Sequence, residues 1–334
     1  MKRLAAPALA LCAAAAALAI LYSWASSPPG GHRQVVFVVE RGWGARRIAE
    51  ALQDSGLVRS TLFVLWRADR LGVAGSFEAG RYALDSSMPP DTILSMIAGG
   101  EVIPVPTRWV TLPEGLTLAQ STELLSTELG IPAESLRQAE ASSPWLDSLG
   151  AGDLEGYLFP ETYEFGDTSD AAGIVDRIVE TGMRRWSPSR DSALSALGLS
   201  RREAVILASI VEREARLDDE RPLVAGVFLS RLRRGMRLES CATVQYALGS
   251  VHEHLSFADL KVDSPYNTYL REGLPPGPIC SPGSASLDAA AAPDTSAGYL
   301  YFVSRDDGSG GHLFATTLAG HLANIRSVRL GTSH

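Results

Sequence analysis

Residues 4–25 form an uncharged run of 22 residues, roughly 33 Å as a helix and therefore long enough to cross a bilayer core of about 30 Å. Lys2 and Arg3 precede the run, and Ser26-Ser27-Pro28-Pro29-Gly30-Gly31 breaks the helix after it. Positive charge stays on the cytoplasmic side, so a chain built this way keeps its N-terminus inside and exports the remainder. A cleaved signal peptide is the rival reading, because Ser23-Trp24-Ala25 is a passable small-x-small site. The length of the run and the interfacial aromatics Tyr22 and Trp24 favour a retained anchor. Cys12 follows Leu11 where lipid attachment wants a small residue, and reads as an apolar residue in lipid.

The 334 residues carry 30 Lys+Arg against 38 Asp+Glu, and after residue 31 the net charge is −10. An acidic exported part argues against a nucleic-acid binder. There is no G-x-x-x-x-G-K-[ST], H-E-x-x-H or G-x-S-x-G, so nucleotide, zinc-protease and serine-hydrolase motifs are absent. His252 and His254 could seed a metal site, but no third ligand has matching local spacing, and no metal or cofactor is expected.

Hydrophobic patterning predicts an α+β chain: an N-terminal membrane helix and linker (1–31), a small β-α module (32–105), and a larger mixed α+β domain (106–334). Val35–Val39 reads as a strand, followed by Gly42, Gly44 and Ile48, Ala49, Leu52 at helical spacing. Gly80–Leu84 reads as a second strand, and Asp91 as the N-cap of the next helix. A second β-α unit at 106–140 opens the larger domain with Trp109–Leu112, Pro113-Glu114-Gly115 and Leu118, Leu125. Further on, a helix is expected near 171–186, and Ser200 with Glu203 forms a capping box. Tyr299–Val303 and His312–Phe314 read as strands around the turn Asp306–Gly311, which lacks the later bidentate Glu of a calcium loop.

The segment Ala204–Val211 is apolar on nearly every face, the mark of a buried helix. It runs straight into Glu212-Arg213-Glu214. Residues two apart on a helix point about 200° apart, so the two glutamates cannot share a role. Glu214 continues the stripe Leu207, Ile210, Val211, whereas Glu212 continues Val205, Ala208, Ser209. A carboxyl at the end of a buried helix loses solvation, and one kept protonated can serve as a general acid. The alternative is a solvated helix end paired to nearby arginines. Loops further on are rich in hydroxyls, amides and aromatic rings, groups that suit carbohydrate: Thr243, Tyr246, Tyr266, Asn267, Thr268 and Gly273-Leu274-Pro275-Pro276-Gly277.

These residues resemble the YceG-like endolytic murein transglycosylases of bacterial inner membranes. The resemblance is sharpest in Gly156-Tyr157-Leu158-Phe159-Pro160-Glu161-Thr162-Tyr163, Leu207–Glu214, Tyr266-Asn267-Thr268-Tyr269 with Gly273–Gly277, Tyr299–Val303, and Gly310-Gly311-His312 with Phe314 and His321. It implies cleavage of the MurNAc-β-1,4-GlcNAc bond in nascent glycan strands, leaving a 1,6-anhydro-MurNAc end, as a strand terminase. It places the catalytic carboxylate on Glu214 and implies a LysM-like region at about 35–100. The implied partners are peptidoglycan strands, the inner membrane and peptidoglycan synthases, with the catalytic domain periplasmic. Thr243, Tyr246, Tyr266, Asn267 and Thr268 are expected substrate contacts; Glu212, Arg221 and Glu161 are expected supporting groups, Glu212 pairing toward Arg221 or Arg231. A hydrolase using Glu161 or Asp263 as second carboxylate, or a non-catalytic wall-binding scaffold, remain alternatives. The family commonly has Asp-Pro where this chain has Cys241-Ala242. With an oxidising compartment and two cysteines in loops near one cleft, a Cys241–Cys280 disulfide is expected.

Overall fold

The structure is a computed structural model describing residues 5–104, 106–250 and 255–331, with side-chain surroundings given from Cys12 onward. The chain divides into two compact units, Met1–Pro106 and Thr107–His334.

The first unit begins with α1 (Ala5–Ser26). Among the described residues no helix is long and apolar enough to cross a membrane; the 22-residue α1 has described side chains only over its second part. Then follow β1 (Gln34–Val39), α2 (Ala45–Asp54), α3 (Thr61–Leu71), β2 (Gly80–Asp85) and α4 (Pro90–Ala98). The two strands are antiparallel, with Phe37 opposite Tyr82. Alternation along β1 sends Phe37 and Val39 inward, where they meet Ile48 and Leu52 of α2, Val64 of α3 and Ile93, Leu94 and Ile97 of α4. Asp91 is not the N-cap of α4: Pro89 holds that place, Pro90 fills the first helical position, and Asp91 pairs with Arg67 at 2.6 Å.

The second unit contains β3 (Thr107–Thr111), α5 (Leu118–Leu129), α6 (Ala133–Ala141), α7 (Trp145–Leu149), β4 (Thr162–Gly166), α8 (Ala171–Arg184), α9 (Pro188–Leu197), α10 (Arg201–Glu214), α11 (Arg221–Arg233), α12 (Cys241–Leu248), α13 (Ser284–Ala291), β5 (Tyr301–Ser304), β6 (His312–Ala315) and α14 (Leu318–Arg329). The β-α unit at 106–140 does not close on itself. Its strand β3 pairs antiparallel with β4, from beyond the unit's limits, with Val110 opposite Tyr163. Helix α10 is the axis of this unit and packs against α9, α11, α12 and α13. Every residue from Ala204 to Val211 is buried, which is why no amphipathic period shows in its sequence. Ser200 and Glu203 form the predicted capping box, with Ser200 N donating to Glu203 Oε2 at 2.8 Å.

Candidate active site

Helix α10 ends on Glu214, and the next residue, Ala215, is already extended. The Glu214 carboxylate meets the N-terminus of α12. Its Oε1 accepts the Ser240 hydroxyl at 2.5 Å and the Ala242 backbone N–H at 3.3 Å. Ser240 is the N-cap of α12 but makes no capping bond with its own side chain. The carboxylate stands in as the cap, satisfying an otherwise orphan N–H at the positive end of the helix. Glu214 is partly exposed, and among the described residues its Oε2 has no partner and it makes no ion pair. One oxygen is thus held while the other is available to a ligand.

Glu212 lies on the other face, with Ser209, as the stripes predict. Its Oε1 lies 3.2 Å from an Arg221 guanidinium nitrogen, both side chains being under a tenth exposed at 7% and 8%. Its Oε2 accepts the Gly283 N–H at 3.0 Å, and Ser209 Oγ accepts Ile279 N at 3.0 Å. Arg221 also donates to Asp218 at 2.9 Å and to Ser286 Oγ at 2.6 Å. Glu212, Ser209 and Arg221 thus hold the 279–286 segment against α10. A side chain at position 283 would meet the Glu114 carboxylate, which packs over Gly283. The carboxylate of Glu212 together with burial pushes Glu114 above the usual carboxylate range, burial contributing most. Arg231 does not meet Glu212. It donates to Glu239 Oε2 at 2.9 Å, to the Leu238 carbonyl at 3.0 Å and to the Leu300 carbonyl at 2.7 Å, fixing the loop before α12.

Three expected substrate contacts are placed otherwise. Thr243 and Asn267 are fully buried and Thr268 is 2% exposed. Thr268 Oγ1 accepts Ser240 N at 3.0 Å and lies 2.8 Å from Thr243 Oγ1, which donates to the Ser240 carbonyl at 2.8 Å. Asn267 donates to the carbonyls of Leu260 and Val262 at 3.0 and 2.8 Å and accepts Tyr269 N at 2.9 Å. Buried polar groups need such partners, and these spend their capacity within the protein. Thr243 and Thr268 position Ser240, and Asn267 pins the 260–269 loop. Tyr246 and Tyr266 are half-buried with ring centroids 4.8 Å apart. Glu161 pairs with Arg185, and exposed Asp263 with Arg271 at 2.7 Å; among the described residues no contact joins either to Glu214.

The expected disulfide does not form: Cys241 and Cys280 are both free thiols. Cys280 is buried against α10, its Sγ donating to the Ser209 carbonyl at 3.3 Å, and burial pushes its thiol pKa up. Cys241 is exposed at the first position of α12, with Sγ 3.2 Å from the Tyr269 hydroxyl. The two sulfurs have different partners, Tyr269 for Cys241 and Ser209 for Cys280. In the native protein lacking residues 1–31, titration with a thiol reagent should therefore modify Cys241 before unfolding and Cys280 only on unfolding. Finding no reactive thiol after unfolding without reductant would restore the disulfide.

Two further groups were not picked out as functional candidates from sequence. Glu155 is 5% exposed, accepts Leu118 N at 2.9 Å and the Tyr246 hydroxyl at 3.2 Å, and burial raises its pKa to about 7. Its only sequence signal is its place beside the apolar run Tyr157–Phe159. His312 Nδ1 lies 2.6 Å from Glu220 Oε2, and His312 N donates to Glu220 Oε1 at 3.0 Å. With Gly310 lying over Arg216 at φ 77°, this pair fastens the β5–β6 hairpin to the segment just after Glu214. His252 and His254 lie outside the described residues.

The YceG-like family matches residues 37–327, and the chain belongs to that family. Its relatives include proteins named endolytic murein transglycosylase. One from Streptococcus pneumoniae is 31% identical over 325 residues, and one from Bacillus subtilis 28% over 302. These alignments cover 88% and 85% of this chain, which spans 58% of the pneumococcal protein and 81% of the Bacillus protein. The crystal structure of a yceG-like protein from Listeria monocytogenes is 29% identical and superposes with a TM-score of 0.58, covering 88% of this chain and 99% of its own.

Proposed function

We propose that this chain is a membrane-anchored endolytic murein transglycosylase, with Glu214 as its single acid–base group. The observation that carries the reading is the asymmetry of the Glu212/Glu214 pair. Glu212 is locked in a buried ion pair, whereas Glu214 has one oxygen fixed by α12 and the other without a partner among the described residues. Protonated Glu214 gives its proton to the glycosidic oxygen as the bond from MurNAc C1 to that oxygen breaks. The carboxylate so formed takes the proton from the C6 hydroxyl of the same MurNAc, whose oxygen attacks C1. The new C1–O6 bond closes the 1,6-anhydro ring, the GlcNAc leaves with its hydroxyl restored, and no water is consumed. A two-carboxylate hydrolase needs a second acid across the bond, either about 5 or about 6.5–9.5 Å away. An intramolecular nucleophile needs none.

In this reading the uncharged N-terminal run anchors the chain in the inner membrane, with the catalytic unit outside. The strand–helix–helix–strand arrangement of the first unit would serve as a LysM-like wall-binding module, and the machinery that synthesises strands would supply the substrate. The test is mass analysis of fragments released from isolated peptidoglycan. Anhydro-MurNAc ends are expected; reducing ends would mean hydrolysis, and no fragments at all would mean a scaffold. A mature N-terminus at Ser26 would overturn the anchor.

A further inference from the structure

Helix α3 has two apolar faces, and the fold of the first unit uses only one. Val64 and Ala68 point into the core at 2% and 1% exposure, while Leu62 and Trp66 stand out at 77% and 44%. A large aliphatic side chain left that open on a helix with a finished core calls for something outside to cover it. The C-terminal half of α1 extends the same surface. Tyr22 lies against Phe63 and Trp66 with ring centroids 5.7 and 6.2 Å apart, and Leu18, Leu21, Tyr22, Leu62, Phe63 and Trp66 line one open apolar groove.

The rim of this groove is cationic and aromatic. Arg59 sits over the Trp24 ring at 5.8 Å and holds the carbonyls of Pro28 and Pro29 at 3.0–3.1 Å; Arg70 sits over Trp66 at 5.7 Å. Within α3, positions 62, 63, 66 and 70 fall on one side, and Arg59 lies just before the helix. Aliphatic groups flanked by Trp, Tyr and arginine make the composition that rests at a membrane–water boundary, with rings at headgroup level and guanidinium groups toward phosphate.

We propose that α3 lies in the surface of the same bilayer that α1 enters, with Leu62, Phe63 and Trp66 at the boundary of headgroups and acyl chains and Arg59 and Arg70 against anionic lipid. The proposal rests on the anchor reading and extends it. A helix held at two places, one spanning and one lying flat, fixes the first unit's orientation against the membrane instead of leaving it on a swivel. That would hold the wall-binding module close to the bilayer, where strands emerge.

The test uses the full chain reconstituted into liposomes of phosphatidylcholine and phosphatidylglycerol, with brominated phosphatidylcholine as the tryptophan quencher. Trp24→Phe and Trp66→Phe are each expected to remove about half of the quenchable emission, since these are the two rings placed at the boundary. Leu62→Asp should leave Trp24 quenching intact and cut the Trp66 share severalfold. Quenching lost with Trp24→Phe but unchanged with Trp66→Phe keeps the anchor and overturns the proposal, leaving the α3 face to a protein partner or a second copy. Quenching at neither ring overturns the anchor itself.

Discussion

Glu214→Gln should abolish release of anhydro-ended fragments while leaving folding and wall binding nearly intact. The substitution keeps the shape of the side chain and an acceptor oxygen for Ser240 and Ala242, and removes only the proton that must move twice. General acid–base help is worth roughly 10²–10⁴ in rate for one transfer, and both half-reactions here draw on the same group. Glu212→Gln should do the opposite. It leaves the buried Arg221 guanidinium undercompensated and should cost up to about 3–5 kcal/mol of stability, while protein that remains folded keeps most of its turnover. Ser240→Ala falls between them. It deletes a charge-assisted donor on Glu214, worth about 1.5–3 kcal/mol, so a loss of roughly ten- to a hundredfold in kcat is expected without unfolding. Turnover and urea midpoints measured on the three variants separate the roles. A folded but inactive Glu212→Gln beside an active Glu214→Gln would reverse the assignment.

What could be read from sequence was whatever depended on local period. The faces of Glu212 and Glu214 follow from 3.6 residues per turn, and the capping box at Ser200 from a four-residue pattern. The antiparallel partner of β3 was not readable, because it comes from residues 162–166 and no local signal marks a long-range strand pair. That the polar residues 243, 267 and 268 are buried and bonded within the protein was not readable for a related reason. A hydroxyl or amide in a loop has the same sequence signature whether it faces solvent or an internal carbonyl, and burial decides between them. The Cys241–Cys280 pairing failed because nearness in a cleft says nothing about side-chain direction, and Cys280 turns its sulfur into α10. Glu155 went unnoticed because a lone acidic residue before an apolar run usually belongs to a turn surface. Only the tertiary fold brings Leu118 and Tyr246 around it.

Glu155 gives the second large effect, and its sign is fixed by linkage. Burial raises its pKa from 4.5 to about 7 in the folded protein, outweighing the Leu118 N–H and Tyr246 hydroxyl that favour the ionised form, while nearby Asp153 raises it further. Between those two values the folded chain holds a proton that the unfolded chain has released. Stability from this group is therefore full below about pH 4.5 and is lost as pH rises through 7. At about 1.4 kcal/mol per pKa unit, the cost at pH 8 is of the order of 3 kcal/mol. Glu155→Gln carries no such proton and can still accept the Leu118 N–H. The variant should lie within about 1 kcal/mol of the parent near pH 5 and exceed it by up to about 3 kcal/mol at pH 8. Other buried acids, including Glu114 and Glu140, also titrate upward, but they are common to both proteins and largely cancel in the difference. Urea unfolding of the two proteins at pH 5, 6, 7 and 8, each lacking residues 1–31, reads that difference directly. Parallel stability curves would mean that Glu155 is already ionised in the fold, stabilised by donors strong enough to offset its burial.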